Sequence, residues 1–314
     1  MALEIYKENY TGRISELTIG KGAKALVVGG ESCLPFHTWE GAMPHRPVIA
    51  FGIWDADTGK WPEPLKQVYK DVLHDPVAWA KKDVLEFGAE MISLRLQSTD
   101  PNGQNAGPES VLPLVEKMLQ AVEVPLLISG VANAEKDAQV LSAIAEKFDR
   151  QNLALWPVAD DNYKQVGASA IAFGQIVAAS TPIDVNLAKQ LNTLLENLGV
   201  NSSRILMDPT TGALGYGIEY SYSVMERDRL AALVQQDEKM QKPLLNLVGQ
   251  EVWKIKEMGQ AGDSAGLLGD QALRGIIYEA VTATLMLLAG SDILVMLHPG
   301  AIAYTRKIIA QLLK

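Results

Sequence analysis

Eight short apolar runs recur between Pro47 and Leu297, each closed by a polar residue or a Gly/Pro step and most followed by a helical pattern. They are VIAFGIW ending at Trp54, MISLRL at Leu96, LLIS at Ser129, LALWPV at Val158, AIAF at Phe173, ILM at Met207, LLNLV at Val248 and ILVML at Leu297. Their shortness and their Ile, Leu and Val content predict strands buried on both faces. Strands alternating with helices imply right-handed crossovers in a parallel sheet. Eight such units with no edge strand left over predict closure into a (β/α)8 TIM barrel. An open doubly wound sheet is the alternative.

The 314 residues exceed the roughly 250 of a typical barrel, and the excess falls at the N-terminus and in long loops. We therefore expect an N-terminal extension over 1–45, packed on a barrel over 46–314. Within the extension, ELTIG and KALVVGG flank Gly20-Lys21-Gly22 and read as a β-hairpin that plugs the barrel floor. An irregular segment from Glu31 to His45 follows. Helix punctuation supports this order. Asp75 with Pro76 opens a helix closing at Gly88, Asn133 caps another, and Asp184 caps a third that ends at Gly199. Pro113 predicts a helix start at Pro113 itself rather than at Pro108.

Lys plus Arg number 28 against 37 Asp plus Glu, a net charge of −9, so a nucleic-acid backbone is repelled rather than attracted. The single Cys33 excludes an internal disulfide, a multi-thiolate metal site and an iron–sulfur cluster held by this chain. The opening MALEIYKENYTGRISEL lacks the apolar core of a secretory signal, and a reducing cytoplasm is expected. Ile276 to Leu297 is the most membrane-like stretch, but Glu279 and Gly290-Ser291-Asp292 split it into a helix and a strand, each too short to span a bilayer. No membrane partner is expected.

Ligands of such barrels meet the loops at the carboxyl ends of the strands. The residues there are Asp55 and Asp57; Gln97, Ser98, Asp100 and Asn102; Gly130 and Asn133; Asp160, Asp161 and Asn162; Gly174 and Gln175; Asp208, Thr210 and Thr211; Gly249, Gln250 and Glu251; and His298. The rim is acidic and amide-rich, suited to hydrogen-bonding amides rather than a free phosphate. Asp55, Asp160 and Asp208 suggest acid–base work, but strand-end aspartates also cap helices and bind backbone amides. His37, His45, His74 and His298 are far apart, with no HExxH or CxxC, so no metal site is expected. The loop GDSAGLLGD, with Gly262, Gly266 and Gly269, lacks the Gly-Lys-Ser/Thr ending of a P-loop and reads as a lid or a protein-contact loop.

Four stretches carry a resemblance: GGESCLPFHTWEG (Gly29 to Gly41), HRPVIAFGIWD (His45 to Asp55), ISLRLQSTDPNG (Ile92 to Gly103) and MDPTTGALGYGIEYSYSVMERDRLAAL (Met207 to Leu233). They resemble the small, delta-type subunit of the corrinoid iron–sulfur protein of the acetyl-CoA synthase/CO dehydrogenase (Wood–Ljungdahl) pathway of anaerobes, over nearly the whole chain. The resemblance implies a heterodimer with a larger subunit that carries a [4Fe-4S] cluster and a cobalamin domain. Its cobalt carries a methyl group from a methyltetrahydrofolate-dependent methyltransferase to acetyl-CoA synthase. The chain has no DxHxxG corrinoid motif, since His74 in DVLHDPV has Asp at the wrong spacing and no following glycine. The small subunit is then expected to be non-catalytic and to cover the cobalt face of the corrinoid from its rim. Topology nominates Asp55, Gln97, Asn133, Asp208, Gly249 and His298 as corrinoid contacts. The alternative is a pterin-dependent methyltransferase, with Asp55, Asp160 and Asn162 holding the pterin. A partner that never touches the cofactor is a third reading, and a barrel hydrolase or aldolase, for which no nucleophile–base pair speaks, comes last. Tyr216 to Arg229, rich in Tyr and Arg, is expected to matter for assembly.

Overall fold

The computed structural model describes residues 6–260 and 266–314. Two antiparallel strands open the chain, β1 (Leu17–Ile19) and β2 (Leu26–Val28). Eight parallel strands follow: β3 (Val48–Trp54), β4 (Met91–Arg95), β5 (Leu126–Ser129), β6 (Ala154–Val158), β7 (Ile176–Ser180), β8 (Ile205–Asp208), β9 (Leu244–Asn246) and β10 (Ser291–Met296). They close in sequence order, with β10 pairing back onto β3, so the TIM barrel is the fold.

Period-two alternation divides each strand between two cores. Val48, Ala50, Met91, Leu127, Ala154, Trp156, Ile176, Ala178, Leu206, Leu245 and Ile293 fill the lumen. Their outward neighbours, such as Ile49, Phe51, Ile92, Leu94 and Ile128, join the helices in the larger outer core. Leu17, Ile19 and Val28 of the hairpin belong to the lumen cluster, and Gly20 N donates to Asn152 O while Asn152 Nδ2 donates to the Thr18 and Gly20 carbonyls. Asn152 precedes β6, so the hairpin seals the amino end of the barrel, its floor.

Helix ends follow the punctuation where a side chain caps them. Asp75 accepts from Val77 N and Ala78 N, Asn133 from Lys136 N, and Asp184 from Asn186 N and Leu187 N. The split in the apolar stretch is also present: a helix over Gln271–Leu288 gives way to β10. No helix among the described residues is long and apolar enough to cross a membrane.

Three expectations are corrected. AIAF is the end of a helix over Tyr163–Phe173, closed by Gly174 in the left-handed region, and the strand is the next run, Ile176–Ser180. Gly174 and Gln175 therefore lie at the floor rather than the rim, and buried Gln175 bridges Leu153 N to the Ala145 and Phe148 carbonyls. The helix around Pro113 starts at Pro108 and runs to Ala121. Pro113 sits on its exposed face, where water reaches the carbonyl it leaves unbonded, while Val111, Val115 and Met118 anchor the buried face. Finally, β9 ends at Asn246, and Val248–Trp253 is helical.

Candidate functional site at the barrel mouth

The last inward position of a strand points into the mouth. For β3, β4 and β6 these residues are Trp54, Arg95 and Trp156. The Arg95 guanidinium carbon lies 5.2 Å from the centre of the Trp54 ring and 6.0 Å from that of Trp156, within cation–π range. Its Nε donates to Gln97 Oε1 at 3.0 Å and one terminal nitrogen to Gln250 Oε1 at 2.7 Å. Burial pulls Arg95 below its ordinary pKa, against the upward pull of Asp137, Asp100, Glu251 and Asp55. None of the four carboxylates is within ion-pair distance of it among the described residues. Beneath these side chains, beside Gly52, Ser93 and Ser129, remains a cavity of about 10 Å3, room for one water at most. The mouth is thus a filled platform.

Around that platform the loops are tied down by carboxylates. Asp208 ends β8 facing inward and accepts from Trp156 Nε1 at 2.6 Å, Ser180 Oγ at 2.8 Å and Thr210 N at 3.0 Å. Full burial pushes its pKa up, opposed by those hydrogen bonds. Asp55 accepts from Ser98 N at 2.8 Å and from Ser98 Oγ, tying the loop after β3 to the loop after β4; burial likewise raises its pKa. Asp137 accepts from Val131 N and Asn133 N, and burial lifts it to about 6. A Cβ at Gly130 would stand 2.2 Å from its Oδ1, so a larger residue there has to displace this carboxylate.

Behind the mouth, buried Glu279 accepts from Leu297 N, His298 N and Trp253 Nε1, and burial lifts it to about 7. His298 stacks on Trp253, with ring centres 5.7 Å apart, and its Nδ1 accepts from Gly300 N as the cap of the last helix. Burial depresses its pKa to about 4, so it is neutral at pH 7. Gly249 lies against this cluster, where a Cβ would meet Leu297 at 2.6 Å and Glu279 at 2.8 Å.

The six nominated contacts therefore divide. Asp208, Gly249 and His298 are buried and support the rim from below; Asp55 and Gln97 are half-buried, and Asn133 is exposed while capping its helix. Gln97 Nε2 also donates to Asp100. Of Asp55, Asp160 and Asn162, Asp55 is engaged by Ser98. Asn162 is spent within its own loop, on Ala159 N and Pro157 O, and Asp160 is exposed at the edge. There an open groove of about 350 Å3 runs past Asp160, Asp161, Ser180, Thr181 and Gln190. Arg95, Trp54 and Trp156 lie within the strands rather than after them, at positions that the strand-end rule does not reach. A signal existed in the alternation, which puts an arginine at an inward position of an otherwise apolar strand. Of GDSAGLLGD, Gly262 lies outside the described residues, while Gly266 and Gly269 are exposed in a turn region.

The closed parallel barrel with its polar mouth makes the chain a (β/α)8 barrel. It superposes on dihydropteroate synthase of Xanthomonas albilineans with a TM-score of 0.57 at 13% identity, covering 94% of this chain and 96% of that one. The same enzyme from Thermus thermophilus gives 0.54 at 15% identity, covering 94% and 98%. That likeness concerns the fold alone. The sequence is more specific: the family described as CO dehydrogenase/acetyl-CoA synthase delta subunit matches residues 16–306. The chain is 36% identical over 314 residues to acetyl-CoA decarbonylase/synthase complex subunit delta of Methanocaldococcus jannaschii, covering 96% of this chain and 74% of that protein. It is 34% identical over 319 residues to the Archaeoglobus fulgidus subunit, covering 97% and 70%. The chain belongs to this delta subunit family.

Proposed function

We propose that the chain is the small subunit of a heterodimeric corrinoid iron–sulfur protein, and that its barrel mouth covers the cobalt face of a corrinoid held by the larger subunit. In that complex the corrinoid supplies the cobalt that carries a methyl group from a methyltetrahydrofolate-dependent methyltransferase to acetyl-CoA synthase. Family membership supports the place in the complex. The observation that carries the role is the filled mouth: Trp54, Arg95 and Gln250 leave about 10 Å3 beside them, too little for a small-molecule substrate but suited to lying against a flat one.

The residues fit a corrinoid as a lid fits. A corrin periphery bears amides, and the half-buried amides of Gln97 and Gln250, together with Asn133 at the edge, offer both donors and acceptors. Asp55, Asp208, Gly249 and His298 hold the loops that present them. A [4Fe-4S] cluster does not fit this chain, because its one cysteine, Cys33, is buried beside the Ala42 carbonyl and burial lifts its thiol to about 11. The cluster then belongs to the larger subunit, and a cytoplasmic location accompanies this reading.

The pterin-dependent methyltransferase reading draws on the dihydropteroate synthase-like fold, but Asp55 and Asn162 are already bonded to Ser98 and to their own loop, which counts against it. For assembly, Tyr220 and Arg227 lie exposed on the helix Ile218–Leu233, whereas Arg229 is buried in an ion pair. Tyr220→Ala with Arg227→Ala is expected to weaken subunit affinity at least tenfold, an outcome that unchanged co-elution contradicts.

Anaerobic reconstitution tests the whole reading. The chain, alone and with the cobalamin-carrying larger subunit, is followed by size-exclusion mass and visible absorbance together. A colourless chain that co-elutes in a coloured heterodimer is the expected result. A chain that stays separate and methylates free cobalamin from methyltetrahydrofolate establishes the enzyme instead.

A further inference from the structure

We infer that Arg95 is the residue by which the mouth recognises the corrinoid, its guanidinium donating to a neutral acceptor oxygen, the carbonyl of a peripheral amide. The inference rests on the corrin-facing reading above and deepens it.

Arg95 is unusual first in its placement. It occupies the last inward position of β4, above Ser93 and Met91, so its head group stands in the mouth rather than on the outer surface. Second is its incomplete bonding. A guanidinium offers five N–H donors, and Arg95 uses Nε and one terminal nitrogen, both on neutral glutamine amides. Its second terminal nitrogen makes no hydrogen bond among the described residues. Fully buried cations are normally paired with a carboxylate; half-buried Arg95 is instead held by two indole faces and two amides, which leave a donor edge unspent.

The surrounding field selects the class of acceptor. Asp137, Asp100, Glu251 and Asp55 act on Arg95 from beyond ion-pair distance, and the chain carries a net charge of −9. An incoming phosphate or carboxylate meets those four carboxylates as like charges. A neutral carbonyl does not, yet it accepts a charge-assisted hydrogen bond from the guanidinium. Gln97 and Gln250 orient the planar fork from two sides, and the indoles confine it, so little side-chain freedom remains to be lost on binding.

Arg95→Met removes the charge and the donors while keeping an apolar side chain in the mouth. The variant is reconstituted with the larger subunit, and hydroxocobalamin binding is followed by quenching of tryptophan emission, with Trp54 and Trp156 as near reporters, and by visible absorbance. Loss of one charge-assisted hydrogen bond is expected to weaken binding about tenfold or more, with the elution mass of the heterodimer unchanged. If circular dichroism shows Arg95→Met unfolded, Arg95→Gln, neutral and polar, takes its place with the same expectation. A coloured heterodimer whose affinity is unchanged within about twofold in the neutral variant overturns the role of Arg95 and leaves the corrin-facing reading standing. A larger subunit that binds hydroxocobalamin equally well with and without this chain overturns the reading itself, and the role of Arg95 with it.

Discussion

Two arginines stand at opposite ends of the same barrel. At the floor, Arg229 reaches the start of β10, where it pairs with Asp292 at 2.5 Å and donates to the Gly290 and Lys242 carbonyls. Asp292 in turn accepts from Leu244 N at 2.6 Å. Both charges are buried, and each has its counter-charge and further hydrogen bonds, the arrangement a folded interior requires. At the mouth, Arg95 has no counter-charge in reach and a free donor edge. The floor arginine is therefore matched by a carboxylate within the chain. The mouth arginine keeps donors open to an acceptor from outside the chain.

The contrast breaks first if the floor pair is dispensable. Asp292→Ala removes the ion-pair partner of buried Arg229 and leaves Glu31 as the carboxyl acting on it, and a loss of up to about 3–5 kcal/mol is expected, read as a fall in the urea midpoint. Next in size is the floor plug: Leu17→Ala opens a cavity beside the lumen core and should cost about 2–5 kcal/mol by the same measurement. An unchanged midpoint would show the hairpin to be an ornament rather than part of the core.

A pH effect sharpens the comparison further. Burial raises Glu31 to about 9, Asp83 to about 8, and Asp228 and Glu279 to about 7, above the roughly 4 of exposed carboxyls. The folded state thus holds more protons than the unfolded one, and stability falls as pH rises through these values. His298 works in the opposite sense: held near 4, it favours folding fully above about 6.5 and loses that contribution as pH falls through 4. The urea midpoint should therefore decline from pH 7 to pH 9. Asp83→Asn, at a buried carboxyl beside Tyr69 and Trp79, should lessen the decline while changing the midpoint at pH 6 little. A slope identical to that of the unsubstituted chain contradicts this account.

The smallest expected effect is at the mouth. Arg95→Met should change stability by no more than about 1 kcal/mol, because the two lost amide hydrogen bonds are offset by relief of a desolvated charge and the half-buried glutamines turn to water. A cost near that of Asp292→Ala would make Arg95 a structural residue like Arg229.

Most barrel strands were legible because strands buried on both faces need continuous apolar runs, and the capped helices because Asp75, Asn133 and Asp184 accept backbone N–H groups within two or three residues. AIAF failed because a short apolar run at a helix end and one in a strand have the same composition; Gly174, as a helix terminus, was the discriminating residue. The site was less legible. Residues after the strands stand at the rim in several cases, yet the bonding of Asp208 and His298 into the loops depends on Trp156, Ser180 and Trp253, which lie far away in sequence.

Sequence alone thus determined the eight-unit barrel, its hairpin extension and its family, since periodicity, capping and extended motifs are local properties of the chain. Tertiary structure alone decided which polar groups are spent and which are free. Strand closure brings Arg95 within reach of Gln250, 155 residues onward, while leaving it beyond ion-pair distance of every carboxylate among the described residues, and no local pattern encodes such distances.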